Sequence, residues 1–173
     1  MSADFVEKPF LSSHVFVDGL YVGRGARLLN ANLSGVCLYE LDLSGADLTG
    51  ARLDGAILDG ADLTGARLYG TDFEGCSLVN ANLAHVSAPE SSFVYANLTN
   101  ANLSCAMLAM ADLRHANFQG ADLGGAFLSH SRLFGANFSG ANLLATNLNE
   151  VNYRDDHNGW VDSESDGPDE TIS

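Results

Sequence analysis

The side chains that could do chemistry here are five histidines, three cysteines and 22 aspartates and glutamates. Catalysis or metal binding needs such groups at particular spacings. His14, His85, His115, His130 and His157 follow no ligand pattern. Cys37, Cys76 and Cys105 are odd in number, stand in no metal spacing and are expected as free thiols. Gly23 and Gly25 flank Arg24, but no phosphate loop follows, so this stretch is expected to be a flexible entry into the next segment. No nucleophile elbow is present. The aspartates recur because the sequence around them recurs, so their number does not point to acid–base catalysis. The expected protein is not an enzyme and carries no metal or cofactor.

Charge and hydropathy narrow the classes further. The net charge is −14 with only eight basic residues, which argues against direct binding to a nucleic-acid backbone. No apolar run approaches the roughly 18 residues of a membrane span. The first 14 residues, MSADFVEKPFLSSH, lack the long apolar core of a signal peptide, so the expected location is the cytoplasm.

What positions these residues is a repeat of five. From Ala26 to Tyr153 one frame runs without insertion or deletion: a small residue, a polar one, leucine, a polar one and often glycine. With the central residue called i, the inner places are Leu or Phe at i and Ala at i−2. Asp or Asn is the commonest type at i−1. On an α-helix, five residues turn about 500°, so successive leucines scatter around the cylinder. On a flat strand, an odd period alternates faces. The chain must therefore turn the same way once per pentad. Positions i−2 and i point inward, i−1 points outward, and i+1 and i+2 make a corner where glycine suits unusual dihedrals. The product is a solenoid with a leucine core.

The stretches ADLTG, ANLSG, ADLRH and ANFQG resemble the pentapeptide-repeat family, with its A(D/N)LXX consensus, over about three quarters of the chain. The resemblance implies an all-β fold, a right-handed quadrilateral β-helix of four pentads per coil and about 6.5 coils. Residue n then lies beneath residue n+20. One interior stack is Leu28, Leu48, Leu68, Leu108 and Leu128, with Ala88 as its gap. A second is Leu43, Leu63, Leu83, Leu103, Leu123 and Leu143. Phe73 and Phe93 belong to a third, and Phe118 and Phe138 to a fourth.

Residues 1–25 are rich in apolar side chains and are expected to cap the first coil, whose end is otherwise an exposed strand edge. Residues 26–153 are the solenoid. Residues 154–173 hold seven acids and are expected to be an exit cap and a solvated tail, with Trp160 and Tyr153 over the last coil. At i−1, Arg27, Asp47 and Arg67 stand in one column, and Arg52 with Asp72, then Asp112 with Arg132, in the next. They are expected to pair one coil apart. Ala88 and Pro89 make 86–90 the worst pentad, where proline withdraws a donor at the corner.

Two surfaces are candidates for function. Met107, Met110, Phe127, Phe134 and Tyr95 are expected to form one apolar outer patch for a protein partner or a second copy. Glu40, Asp42, Asp59 and Asp62 are expected to form an acidic strip, with Asp42 beneath Asp62. The style of the repeat resembles proteins abundant in cyanobacteria, and the expected function is a protein-binding or scaffold module. The alternative implied by the family is an acidic rod that imitates duplex DNA and inhibits or protects DNA gyrase.

Overall fold

The computed structural model describes residues 14–154. Phe5, Val6, Phe10 and Leu11 of the expected entry cap, and His157 and Trp160 near the other end, lie outside the described residues.

Strands β1 (His14–Val17) and β2 (Leu20–Gly23) form an antiparallel hairpin. Asp18 and Gly19 join them with φ of 49° and 81°, the two positive values of a type I′ turn. Alternation along the strands turns Val15 and Val17 toward the first coil, where Val22 is fully buried. His14 and Tyr21 stack on the other side at 5.2 Å.

Beyond the hairpin the chain coils. Each i−1 residue bridges in parallel to the residue 20 further on, from Arg27 with Asp47 to Arg132 with Asn152. Four pentads close one turn, and the fold is a right-handed quadrilateral β-helix. We number its sides by their first i−1 residue: face 1 from Arg27, face 2 from Asn32, face 3 from Cys37 and face 4 from Asp42. With stacked strands about 4.8 Å apart, the rod is roughly 30 Å long.

The hydrogen bonds explain the repeat. Asp47 N–H donates to Ala26 O of the coil below at 2.9 Å. Leu48 N–H donates to Arg67 O above at 2.8 Å and Gly50 N–H to Tyr69 O at 2.9 Å. Ala51 N–H closes the turn on Leu48 O at 2.8 Å. This scheme repeats from pentad to pentad. It uses every backbone donor but one, the N–H of i+1.

At the corner, i+2 is left-handed in every pentad, whether glycine or not. Gly60 has φ of 68°, and Asn80, His85, Glu90, Tyr95, Asn100, Cys105, Met110 and His115 lie between 56° and 60°. The turn bond with a positive φ at its third residue marks a type II turn. The corner at Pro89 lacks the Ser91 N–H to Ala88 O turn bond that closes the neighbouring corners, but Pro89 itself withdraws no donor that the coil uses. It takes the i+1 place, where the coil uses no N–H and where proline's fixed φ is favoured. The Ser91 hydroxyl donates to Ala88 O at 2.7 Å in the same corner. Nor is the stretch at 23–26 a loose entry. Gly25 N–H already donates to Ser44 O, and Ala26 N–H to Gly23 O, each at 3.0 Å.

Leu28, Leu48, Leu68, Leu43, Leu63, Leu83 and Leu103 are buried, as are Phe73, Phe93 and Phe118. Phe73 stacks on Phe93 at 4.7 Å and Phe118 on Phe138 at 4.9 Å. Phe138 and Leu143, expected in the core, are only half-buried against it. They belong to the last coil, and no coil follows among the described residues.

Polar residues at i−2 reach inward carbonyls. Thr71 donates to Leu48 O at 2.8 Å and Cys76 to Leu53 O at 2.6 Å. The fully buried Ser131 hydroxyl has no partner. A buried unsatisfied hydroxyl costs on the order of 1–3 kcal/mol. Ser131→Ala should therefore raise stability by about 1 kcal/mol in denaturant unfolding. A loss of stability would show that the hydroxyl is satisfied.

Candidate functional site

The chemistry of this rod is on its outside, and most of it serves the fold. Every Asp or Asn at i−1 accepts, through Oδ1, the N–H of i+1 that the coil leaves over. The distances run from 2.8 Å at Asn152 to 3.3 Å at Asn32 and Asp112. This is an Asx turn, available to short side chains carrying an acceptor oxygen. Where i−1 is Ser77, Asp59 of the coil below caps Val79 N–H instead, at 3.0 Å.

The acidic strip lies on faces 3 and 4. Asp42 and Asp62 are bridged neighbours. Each caps its own corner, and Asp62 also accepts from Asn82 Nδ2 at 3.3 Å. Asp59 is held by Ser77 and Val79. Glu40 sits at the corner below Gly60. Further up face 4, Asn102 donates to Asn82 and Asn142 to Asp122, and on face 3 Asn137 donates to Asn117.

Hydroxyl donors hold several carboxyls below their ordinary range: Ser44 at Asp42, Thr49 at Asp47 and Ser34 at Asp54. At Asp112, burial pushes upward, but the hydrogen bonds and charge of Arg114 outweigh it and the carboxyl stays low. A lowered folded-state pKa contributes stability above the unfolded value, near 4, and loses it as pH falls through the folded value. The rod should therefore be insensitive to pH between about 5 and 7 and lose thermal stability below about pH 4. A melting temperature unchanged down to pH 2 would contradict these bonds.

The charge columns pair differently from expectation. Of the pairs expected one coil apart, Arg132 with Asp112 forms, at 3.1 Å. Asp112 also holds Arg114, at 2.6 Å. Arg52 turns to Asp54 in its own pentad, at 3.2 Å, rather than to Asp72. Arg27 and Arg67 act on Asp47 through their charge. For Arg52 the nearby Asp54 wins because it is reached without crossing a coil.

The apolar patch divides in two. Met107 and Phe127 are bridged neighbours on face 1, exposed by 53% and 50%, with Met110 on the next corner at 57%. Tyr95 and Phe134 belong with the far corner of face 2. There the His115 ring stacks on Tyr95 at 4.8 Å and meets the edge of Phe134 at 5.4 Å. The cluster of Asp112, Arg114 and Arg132 stands between the two groups. His115 had only its corner place to mark it in the sequence.

Cys37 and Cys105 are exposed free thiols. Burial pushes the Cys76 thiol up to about 12, which leaves it protonated and inert. Among the described residues, no group of three or more His, Cys, Asp or Glu could hold a metal, and no helix is long and apolar enough to cross a membrane.

The family comparison agrees with the geometry. The pentapeptide-repeat model matches in eight copies, over residues 23–50, 42–78, 76–118 and 111–149. The chain belongs to the pentapeptide-repeat family. Among solved structures it is similar to a pentapeptide repeat protein of the Arabidopsis thaliana thylakoid lumen, with 32% identity over 54% of this chain and 66% of that one, and a TM-score of 0.53. It is also similar to Rfr23 of the cyanobacterium Cyanothece, with 25% identity over 73% of this chain and 86% of that one, and a TM-score of 0.47. QnrB1, a plasmid-mediated fluoroquinolone resistance protein, matches at 23% identity over 72% of this chain and 66% of that one, with a TM-score of 0.46. Among curated proteins none matches the chain.

Proposed function

We propose that this rod is a non-enzymatic, cytoplasmic binding module that presents an outer face to a protein partner. The observation that carries the reading is the row of Met107, Phe127 and Met110 on the upper half of face 1. Apolar side chains exposed singly are ordinary, whereas contiguous ones mark contact surfaces. Around them the i−1 and i+1 places of face 1 from Ser87 upward hold no charged residue, on a chain of net charge −14. A filled leucine and alanine interior supports the same reading, because it leaves recognition to the exterior. Changing Met107 and Phe127 together to Asp should leave the fold intact, since both point outward. The double variant should lose proteins that the parent captures by cross-linking in cells. An identical set captured by both would remove the row as the site.

The gyrase reading rests on the acidic strip, since faces 3 and 4 carry no arginine in the repeat. Corner capping already accounts for Asp42 and Asp62, and seven of the 22 acids lie in 155–173 rather than on the coils. A supercoiling assay tests this alternative. Gyrase unaffected by micromolar parent would eliminate it.

A further inference from the structure

The corner column that borders the Met107 row is not uniform along the rod. One coil below Met110 it carries Glu90, and one coil above it His130, with Glu150 above that. Glu90 accepts the Tyr69 hydroxyl at 2.8 Å. His130 Nδ1 lies 3.2 Å from Glu150, and its side chain stays 54% exposed. A carboxylate and an imidazole thus stand one coil to either side of the methionine level. The exposed thiol of Cys105 lies at that same level, on the opposite corner, where the chain enters face 1.

We propose that the partner of the Met107 row is a second copy of this chain, laid face 1 to face 1 with the two rods antiparallel. This rests on the binding-module reading and adds the identity of the partner. A two-fold axis lying across face 1 at the level of Met107 keeps each column of side chains on its own column and reverses the order of the coils. Met107 then meets Met107 of the second copy, and Met110 meets Met110. Phe127 meets Ser87 and Glu90 meets His130, each of these twice. Arg67 falls opposite Asn147, and Glu150 opposite Gly70, so no like charges face one another. Both copies share one coil spacing, so groups that match at one level stay in register at the next. Parallel rods would instead set Arg27, Asp47 and Arg67 each on its own copy. Faces 3 and 4 hold acids and no arginine, so two copies repel there. The overlap runs from the coil of Arg67 to that of Asn147, roughly 20 Å of rod. A single rod face of that length is small beside most stable interfaces, so the dimer is weak.

Sedimentation equilibrium and thiol cross-linking of the full chain test this. The parent should dimerise. Cys105 lies at the level of the two-fold axis, so its thiol faces its own copy across the rim of the interface, whereas the exposed Cys37 stands on face 3. A short bis-maleimide should therefore join Cys37→Ser chains into covalent dimers about fivefold or more faster than Cys105→Ser chains, because the interface raises the effective concentration of one thiol at the other. Met107→Asp with Phe127→Asp sets carboxylates against the axis. In the Cys37→Ser background it should stay folded by circular dichroism, sediment as a monomer and lose the cross-link. Glu90→Lys places a cation opposite His130 and should weaken the dimer about fivefold. A parent that stays monomeric at the highest attainable concentration overturns the proposal. So does a dimer that these substitutions leave at full affinity, or one linked as fast through Cys37 as through Cys105. A monomeric parent that captures another protein, lost in the double variant, removes this partner and leaves the binding-module reading standing. A double variant that keeps both the dimer and the captured proteins removes both.

Discussion

Leu83→Asp should unfold the middle of the rod. Leu83 is fully buried in the face 4 stack, between Leu63 and Leu103. Its substitution forfeits the roughly 1.5–3 kcal/mol of a buried leucine. It also places a carboxylate among apolar side chains, at a further cost of several kcal/mol unless it protonates. Together these approach the 5–15 kcal/mol that holds an ordinary domain. In a solenoid each coil contacts only its neighbours, so damage at one level uncouples the halves rather than diffusing through a core. Hydrogen exchange should show lost protection around residues 63–103, with the first coils retaining more. Leu83→Ala, which only opens a cavity, should cost about 2–5 kcal/mol and keep the β spectrum. A Leu83→Asp protein that unfolds at the parent's denaturant midpoint would mean the side chain has a route to solvent, and the interior would have to be redrawn.

Gly135→Val should be the most damaging of the corner substitutions. Gly135 has φ of 70°, and a Cβ added there would run into the His115 ring. A left-handed residue with a side chain costs roughly 1–2 kcal/mol, and β-branching makes the conformation rarer still. The ring cannot swing aside freely, because Tyr95 stacks on it and Phe134 meets its edge. Displacing it forfeits on the order of 0.5–1.5 kcal/mol of aromatic contact. The expected loss is about 2–3 kcal/mol in all. Gly135→Asn separates the terms, since Asn tolerates the left-handed region but still meets the ring. Gly140→Val is the matching control, as no atom lies within 4 Å of a Cβ there. Gly135→Val and Gly140→Val are expected to differ by about the aromatic contribution. Equal losses would assign the whole cost to the backbone.

The stretches that build the rod and line its outer faces were unequally legible. The Asp-Gly turn between alternating apolar residues was a hairpin signal for β1 and β2, yet apolar content alone led only to a cap. The corners from Asn80 to His115 contain no glycine, and nothing in their composition announces that they share the left-handed backbone of Gly60. They adopt it because the bonds from neighbouring coils fix the corner and a single side chain's preference is outvoted. Met107 and Phe127 were readable as stacked, since both follow from the frame. The division of that patch from Tyr95 and Phe134 depended on Arg114 and Arg132 gathering at Asp112.

The period of five by itself determined a coil with leucine and alanine inside, because the parity of an extended segment fixes which side chains point the same way. It also placed Asp and Asn outside at i−1. What they do there was decided only by the tertiary structure. Stacked coils satisfy every backbone donor except the i+1 N–H, so a short acceptor two residues earlier becomes the natural cap, and Pro89, which has no N–H to satisfy, fits the same place. The partners of Arg52 and Asp59 were likewise settled by distance across a corner or a coil, whereas Arg132 took the partner that the 20-residue spacing already gave it. Inward and outward are local properties of a chain, whereas the partner of an outward group depends on residues 20 positions away and on which bonds the coil leaves open.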